Sequence, residues 1–293
     1  MFVQQMSKRA AAGRRRTGSP MLRRLGRIAL YLVLIVAAIG VLLPFYWMVI
    51  SSLKTNNEVF TVPIKWWPEA AQWQNYVEIW QRSGMLTWLK NTAILSVTIT
   101  LLQVLTGSFA AYGFSKARFA GRHILFLVYI GTIAVPWQSF MIPQFVLVSS
   151  FRLSNTLWSL IILQAFGAFG VFLMKQFYDT IPDELIEAGR LDGLSEYGIW
   201  WRIMMPLSVP AIASLVLLTF VNTWNDYLGP LIYLRDPGLW TIQLGLRTFI
   251  SQYNADYALI MTGAVLSVLP IVVVFMLGQR YFIEGIATTG MKG

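Results

Sequence analysis

Apolar and polar positions alternate along this chain in long blocks. From Ile28 to Ile50 no residue is charged, and at ~1.5 Å per residue a helix of that length crosses the ~30 Å core of a bilayer. Comparable blocks cover about 91–114, 124–148, 157–174, 207–234 and 257–279. The pattern predicts an all-α fold, a polytopic transmembrane helix bundle of six spans. Pro44 is expected to bend the first span, and Pro136 and Pro143 to kink or partly unwind the third. Pro270 falls inside the sixth. Gly167 and Gly170 form a small-residue pair in the fourth span that lets another helix approach closely. Between the first two spans, Thr55 to Trp88 is amphipathic and rich in tryptophan (Trp66, Trp67, Trp73, Trp80, Trp88). It predicts a short surface helix around 75–82 at headgroup level. Residues 1–27 read as a basic, disordered cytoplasmic tail and 28–293 as one transmembrane domain.

The block pattern is interrupted most strongly at 180–206. Five acids stand between Asp183 and Glu196, out of thirteen in the chain. Such a segment belongs in water, not hydrocarbon. Thr180 is expected to cap a first helix with Pro182 in its opening turn and Asp183 at the capping-box position; Gly193 then breaks it. Ser195 and Glu196 start a second short helix expected to end before Pro206. Helix, glycine elbow, helix: the loop should project from the bundle as a knob.

Composition agrees with the spans. The chain is 56% hydrophobic and 12% charged, against roughly 25% charged for soluble domains. It has no cysteine, which excludes disulfides and thiolate metal sites, and its single histidine, His123, reads as an interfacial residue. Net charge +10 raises a nucleic-acid reading, but eight of the twenty-three Lys and Arg lie in the first 27 residues, just before a span. That is the positive-inside pattern, with attraction to anionic lipid added. On a six-span topology, sixteen basic residues fall on the side of the termini and the 180–206 loop, and seven on the other. The bias places both termini and the loop in the cytoplasm. No phosphate-binding Gly-x4-Gly-Lys-Ser/Thr loop, zinc-hydrolase helix or serine-nucleophile motif is present. The chain is therefore not expected to bind ATP, metal or any cofactor itself.

The spacing Glu187-Ala188-Gly189, Gly193, Ile203-Met204-Met205-Pro206 resembles the signature of permease subunits of bacterial ABC importers: Glu-Ala-Ala, three residues, Gly, nine residues, Ile-x-Leu-Pro. Gly189 and Met205 replace the second Ala and the Leu. The resemblance implies that this loop carries a coupling helix docked on a separate ATPase subunit, with Glu187, Ala188, Gly189, Asp192 and Gly193 at the contact. Residues alone leave a plainer reading open, a solvated loop whose charges keep it out of the bilayer. Further similarity, to the carbohydrate branch and its smaller maltose-type permease, lies in Trp224-Asn225-Asp226, Tyr112 to Arg122, Ser51 to Lys54, Ile181-Pro182 and the ending. It implies a second homologous permease, an ATPase dimer holding ATP and Mg, an extracytoplasmic substrate-binding protein and a sugar, all at a bacterial cytoplasmic membrane.

Two more groups are candidates. Asn222, Trp224, Asn225 and Asp226 carry the one carboxylate in or beside the fifth span. Together with Trp137 and Gln138 they suit a translocation path, because amides and a carboxylate hydrogen-bond hydroxyls while an aromatic face stacks on a sugar. An outer-interface acid that simply reaches water is the competing reading. Gln279, Arg280 and Lys292 mark a tail that is either a stop-transfer charge with a frayed end or, on the resemblance, a contact with the ATPase. The loop 235–256 is the candidate to touch a binding protein. A membrane-embedded glycan- or lipid-modifying enzyme would need a carboxylate or histidine cluster at a membrane face, and a passive channel would need no ATPase.

Overall fold

The structure, a computed structural model, describes residues 20–250 and 255–289, with side chains from 24 to 280 and at Met21. The chain before Pro20, and Lys292 at the other end, lie outside the described residues. Contacts divide the chain after Ile50. The first unit is the body of α1 (Pro20–Ser52), which keeps Pro44 inside it. Residues 20–27, expected in the tail, are already helical there; proline is well suited to a first turn because its missing N–H has no intrahelical partner.

The second unit begins with the Trp-rich segment, whose α2 (Gln74–Arg82) matches the expected surface helix. Its organiser is α3 (Met85–Lys116), 32 residues long. Against α3 pack α6 (Leu157–Gln164), α7 (Ala168–Tyr178) and α10 (Val209–Trp224), and α10 also packs on α13 (Tyr257–Thr289). The crossing of α3 and α7 depends on two glycines. A Cβ on Gly107 would lie 3.4 Å from the backbone of Gly170, and one on Gly170 would lie 3.2 Å from Leu215 of α10. Three helices therefore meet with almost no side chain between two of them, as the sequence pair at 167 and 170 suggests.

Among the described residues, four helical stretches are long and apolar enough to cross a membrane: Arg24–Ser52, Met85–Lys116, Leu157–Tyr178 and Tyr257–Arg280. The expected third span is divided into α4 (Arg122–Gly131) and α5 (Met141–Ser150), parted by short tight turns around Val135-Pro136. Pro136 cannot donate to a helix, and Val135 before it is extended, as the residue before a proline prefers. Pro143 sits in the first turn of α5, where its missing N–H costs nothing. The expected fifth span is shorter than read: α10 stops at Trp224, and the chain resumes as α11 (Leu228–Tyr233). The fourth span opens between Gln164 and Ala168. Gln103 Nε2 donates to the Gln164 carbonyl (2.7 Å) and Thr106 Oγ1 to that of Ala165 (2.8 Å). Those bonds replace the ones the break removes, which an apolar setting requires.

Candidate functional site

The charged loop folds as two short helices, α8 (Asp183–Leu191) and α9 (Glu196–Leu207). Asp183 and Glu184 stand in the first turn of α8 and Arg190 in its last, complementing the helix dipole. The cap differs from expectation: Pro182 takes the N-cap position, and Thr180 Oγ1 instead donates to the Phe177 carbonyl at the end of α7. Gly193 holds φ +80°, the left-handed conformation that the elbow needs. Around it, Gly193 N donates to the Arg190 carbonyl (3.0 Å) and Leu194 N to that of Gly189 (3.0 Å), the paired bonds of a Schellman stop. Ser195 caps α9, its hydroxyl accepting from Gly198 N at 3.2 Å. α9 does not end before Pro206. A π turn over Trp200–Met204 widens the helix just ahead of the proline, and helix continues to Leu207. The wider turn displaces the carbonyl that a proline ring would strike in a regular α-helix. At Ser208 the path then bends by 82° into α10, so α9 lies nearly across the axis of the helix it feeds.

One face of this loop is joined to the bundle. Ile181, Ile186, Ile199 and Met204 share a buried cluster with Ala111 and Tyr112 of α3, Met174 and Tyr178 of α7, and Leu215 of α10. Polar contacts reinforce it. Lys116 Nζ, on a side chain only 5% exposed, donates to the Ile181 carbonyl and pairs with Asp183 Oδ1, both at 2.6 Å. That ammonium holds the Asp183 carboxyl below its ordinary value. Tyr112 OH donates to Glu196 Oε2, and Arg190 Nε pairs with Glu196 Oε1 at 2.8 Å, so one carboxylate ties α3, α8 and α9 together. Asp179 collects Ser115 Oγ (2.7 Å) and Lys175 Nζ (2.6 Å) at the neighbouring corner.

The other face is open. Glu187, Ala188, Leu191, Asp192 and Gly193 are exposed, and Leu191, at 88%, has almost no cover. Gly189 is placed differently from its four companions. It is buried inward, where a Cβ would lie 2.8 Å from Ile203 Cδ1 and 3.3 Å from Ile199 Cγ1. Its small size brings α8 onto α9 instead of admitting an outside surface. Leu191 was not among the residues singled out from sequence; an apolar side chain two residues before the glycine elbow, in the most acidic part of the chain, was the available signal.

At the other end of the bundle a cavity of about 550 Å³ opens between the first turns of α5 with the turn before them, the end of α6 and the start of α11. Trp137, Asn225 and Asp226 line it together, joined by Gln144, Gln164 and Tyr233. Trp137 Nε1 donates to Gln144 Oε1 (2.7 Å), which also accepts from Tyr233 OH (3.2 Å). Asp226 Oδ2 accepts from Gln164 Nε2 (2.9 Å), while Oδ1 accepts from Gly229 N (3.1 Å) and fixes the first turn of α11. Asn225 Oδ1 accepts from Gln243 Nε2 at 3.2 Å. Three sequence candidates lie elsewhere. Gln138 and Asn222 are exposed and outside the cavity lining. Trp224 is 3% exposed, stacks on Phe220 and donates from Nε1 to the Ser267 carbonyl (3.0 Å), so its indole joins α10 to α13. Gln144 and Gln164 were missed, although amides inside apolar runs carry the same signal as an intramembrane acid. Gln279 and Arg280 are exposed on α13, which continues as helix to Thr289 instead of fraying after the span.

The segment 235–250 is anchored to α3. Asn91 Nδ2 donates to the carbonyls of Gly238 and Trp240 (3.0 Å each), and Ile242 N, at the start of α12 (Ile242–Leu246), donates to Thr92 Oγ1 (2.9 Å). No group of three or more metal-ligating side chains occurs among the described residues.

Residues 103–288 match the family described as binding-protein-dependent transport system inner membrane component. The chain is 31% identical to the arabinooligosaccharides transport system permease protein AraQ of Halalkalibacterium halodurans over 282 residues, covering 95% of this chain and all of that one. It is 32% identical to the lactose transport system permease protein LacG of Rhizobium radiobacter over 263 residues, 90% and 96% of the two chains. It is 29% identical to the sn-glycerol-3-phosphate transport system permease protein UgpE of Yersinia pestis over 266 residues, 87% and 94%. In fold it is similar to a chain of a bacterial ABC transporter involved in the import of the acidic polysaccharide alginate, with TM-score 0.79, 23% identity and coverage of 90% of this chain and 99% of that one.

Proposed function

This chain belongs to the family of binding-protein-dependent transport system inner membrane components, and from that premise we propose that it carries a sugar or related small solute inward and is driven through its 180–206 loop. It is a multi-pass permease subunit of an ABC importer, a transporter part and not an enzyme. The family's general assembly has a second permease, ATPase subunits and a binding protein. In the proposed assembly a homologous permease closes the path, an ATPase dimer with ATP and Mg sits under the loop, and both termini and the loop face the cytoplasm. Loop 235–256 meets the binding protein on the outer side.

One observation carries the coupling reading. The loop is exposed along Glu187, Ala188, Leu191 and Asp192 while its other face is continuous with the core of α3, α7 and α10. A push on the open face is thus delivered to three packed helices instead of being absorbed by a flexible tether. The sugar reading is supported by the relatives' names and by the cavity, where an indole, two glutamines, an asparagine and an aspartate meet.

Co-expression with the partner subunits tests both parts. Glu187→Lys and Gly193→Pro are expected to abolish co-purification of the ATPase, and ATPase retention by both variants would overturn the docking reading. Asp226→Ala and Gln164→Ala should leave the assembly intact and lower sugar uptake; unchanged uptake in both would remove the cavity from the path.

A further inference from the structure

Two clefts meet at the loop-side end of α3. The first, about 580 Å³, is walled by Phe109, Ala110, Gly113, Phe114 and Phe119, with Tyr197 of α9 opposite. The second, about 540 Å³, is walled by Ser115, Lys116, Arg118, Ala120, Arg122 and Asp183. Arg118 and Phe119 line both. One half is apolar: the Phe109 ring stacks on Tyr197 at 5.4 Å with the planes 7° apart, and the floor at Gly113 is open, with nothing within 4 Å of where a Cβ would stand. The other half is cationic. Three basic side chains face one carboxylate, an excess of two positive charges. Lys116 is committed to Asp183 and the Ile181 carbonyl. Arg122 spends one guanidinium nitrogen on the Ser115 and Ala117 carbonyls (3.1 and 2.8 Å), which fixes its plane and leaves its other donors. Arg118 is exposed and belongs to no ion pair among the described residues.

An apolar trough leading into a cationic cluster, at a helix end of a multi-pass membrane protein, has the polarity profile of a phospholipid molecule. We propose that the joined clefts bind one anionic phospholipid of the leaflet on the loop's side, its phosphate held by Arg118 and Arg122 and one acyl chain lying along Phe109, Gly113 and Phe119. A free phosphate would use only the second cleft, and a zwitterionic lipid would place a second cation against Arg118. The site is distinct from the loop's open face and from the cavity beside Asp226. Because Tyr197 and Glu196 belong to α9 and Phe109 to α3, the lipid would also brace the loop against the bundle.

The test uses the assembled transporter, stripped of lipid in detergent and titrated with phosphatidylglycerol, phosphatidylcholine or inorganic phosphate. Native mass spectrometry and thermal stability are the readouts. Wild type should retain phosphatidylglycerol in preference to phosphatidylcholine and gain nothing from phosphate. Arg118→Gln should cut that preference roughly fivefold, and Gly113→Leu, which fills the trough, should lower retention of both lipids. Equal retention of the two lipids by wild type, an unchanged preference in Arg118→Gln, or equal stabilisation by phosphate alone would overturn the proposal. So would efficient cross-linking of a Phe119→Cys variant to a partner subunit, since protein would then cover the trough.

Discussion

Gly189 and Gly193 sit four residues apart in one loop, and the structure gives them opposite requirements. At Gly193 the backbone itself is left-handed, φ +80°, with open space around it. Alanine there fits sterically yet strains the chain, so Gly193→Ala should cost about 1 kcal/mol and lower the unfolding midpoint. At Gly189 the conformation is ordinary helix and the obstacle is the far end of the flexible Ile203 side chain. Gly189→Ala should therefore be close to neutral, a helix-propensity gain of up to about 1 kcal/mol offsetting a small shift of Ile203. Parallel thermal melts of the two variants separate the cases. Asp183 gives a pH-dependent prediction at the same scale. Its carboxyl pKa is lowered in the folded protein by Lys116, so the stabilisation is fully present above the ordinary carboxylate range. It is lost as pH falls through the lowered value. The melting difference between wild type and Asp183→Asn should accordingly be largest near neutrality and close on acidification. Much of this was legible in the sequence: the elbow at Gly193, the cap at Ser195, the crowd of acids. The inward turn of Gly189 was not, because which face of a nine-residue helix is buried depends on Ile199 and Ile203 folding back from beyond the elbow.

Among the elements, α8 and α9 behave as an extension of α3. The contact most responsible is the Tyr112 hydroxyl on Glu196, a carboxylate that also holds Arg190. Tyr112→Phe removes one hydrogen bond to a charged acceptor while leaving the ion pair and the packing, a loss of about 1–2 kcal/mol. The expected result is an importer that still retains its ATPase but moves less solute per ATP hydrolysed, measured as uptake and phosphate release in the same vesicles. An unchanged ratio would mean that the hydrophobic contacts alone keep the loop rigid. Element boundaries followed the sequence where proline and glycine set them, as at Pro136 and Gly193. They departed from it where a tertiary partner intervened. α9 passes through Pro206 because a π turn absorbs the missing donor, and the fourth span opens after Gln164 because Gln103 and Thr106 of another helix supply replacement bonds. Neither compensation can be seen in a linear pattern of apolar residues.

For the whole molecule, block length alone anticipated a helical membrane protein, and the family match agrees. The breaks within the crossings were not legible, since α4, α5 and α10 are each too short to cross a bilayer alone although the apolar blocks holding them are long enough. Sidedness can be tested directly because the chain has no cysteine. A single Glu187→Cys should react with a membrane-impermeant maleimide in inside-out vesicles and stay unlabelled in intact cells; the reverse result would put the loop on the outer face and end the coupling account. The 82° corner at Ser208 carries a mechanical consequence. Arms of twelve and sixteen residues, about 18 and 24 Å long, joined at a stiff right angle, make a bell crank. Sideways travel of the short arm at Tyr197 becomes tilt of the long one, amplified by about a third at Trp224. Spin labels at Tyr197 and Asn222 should then keep a constant separation through the transport cycle while each moves relative to α3.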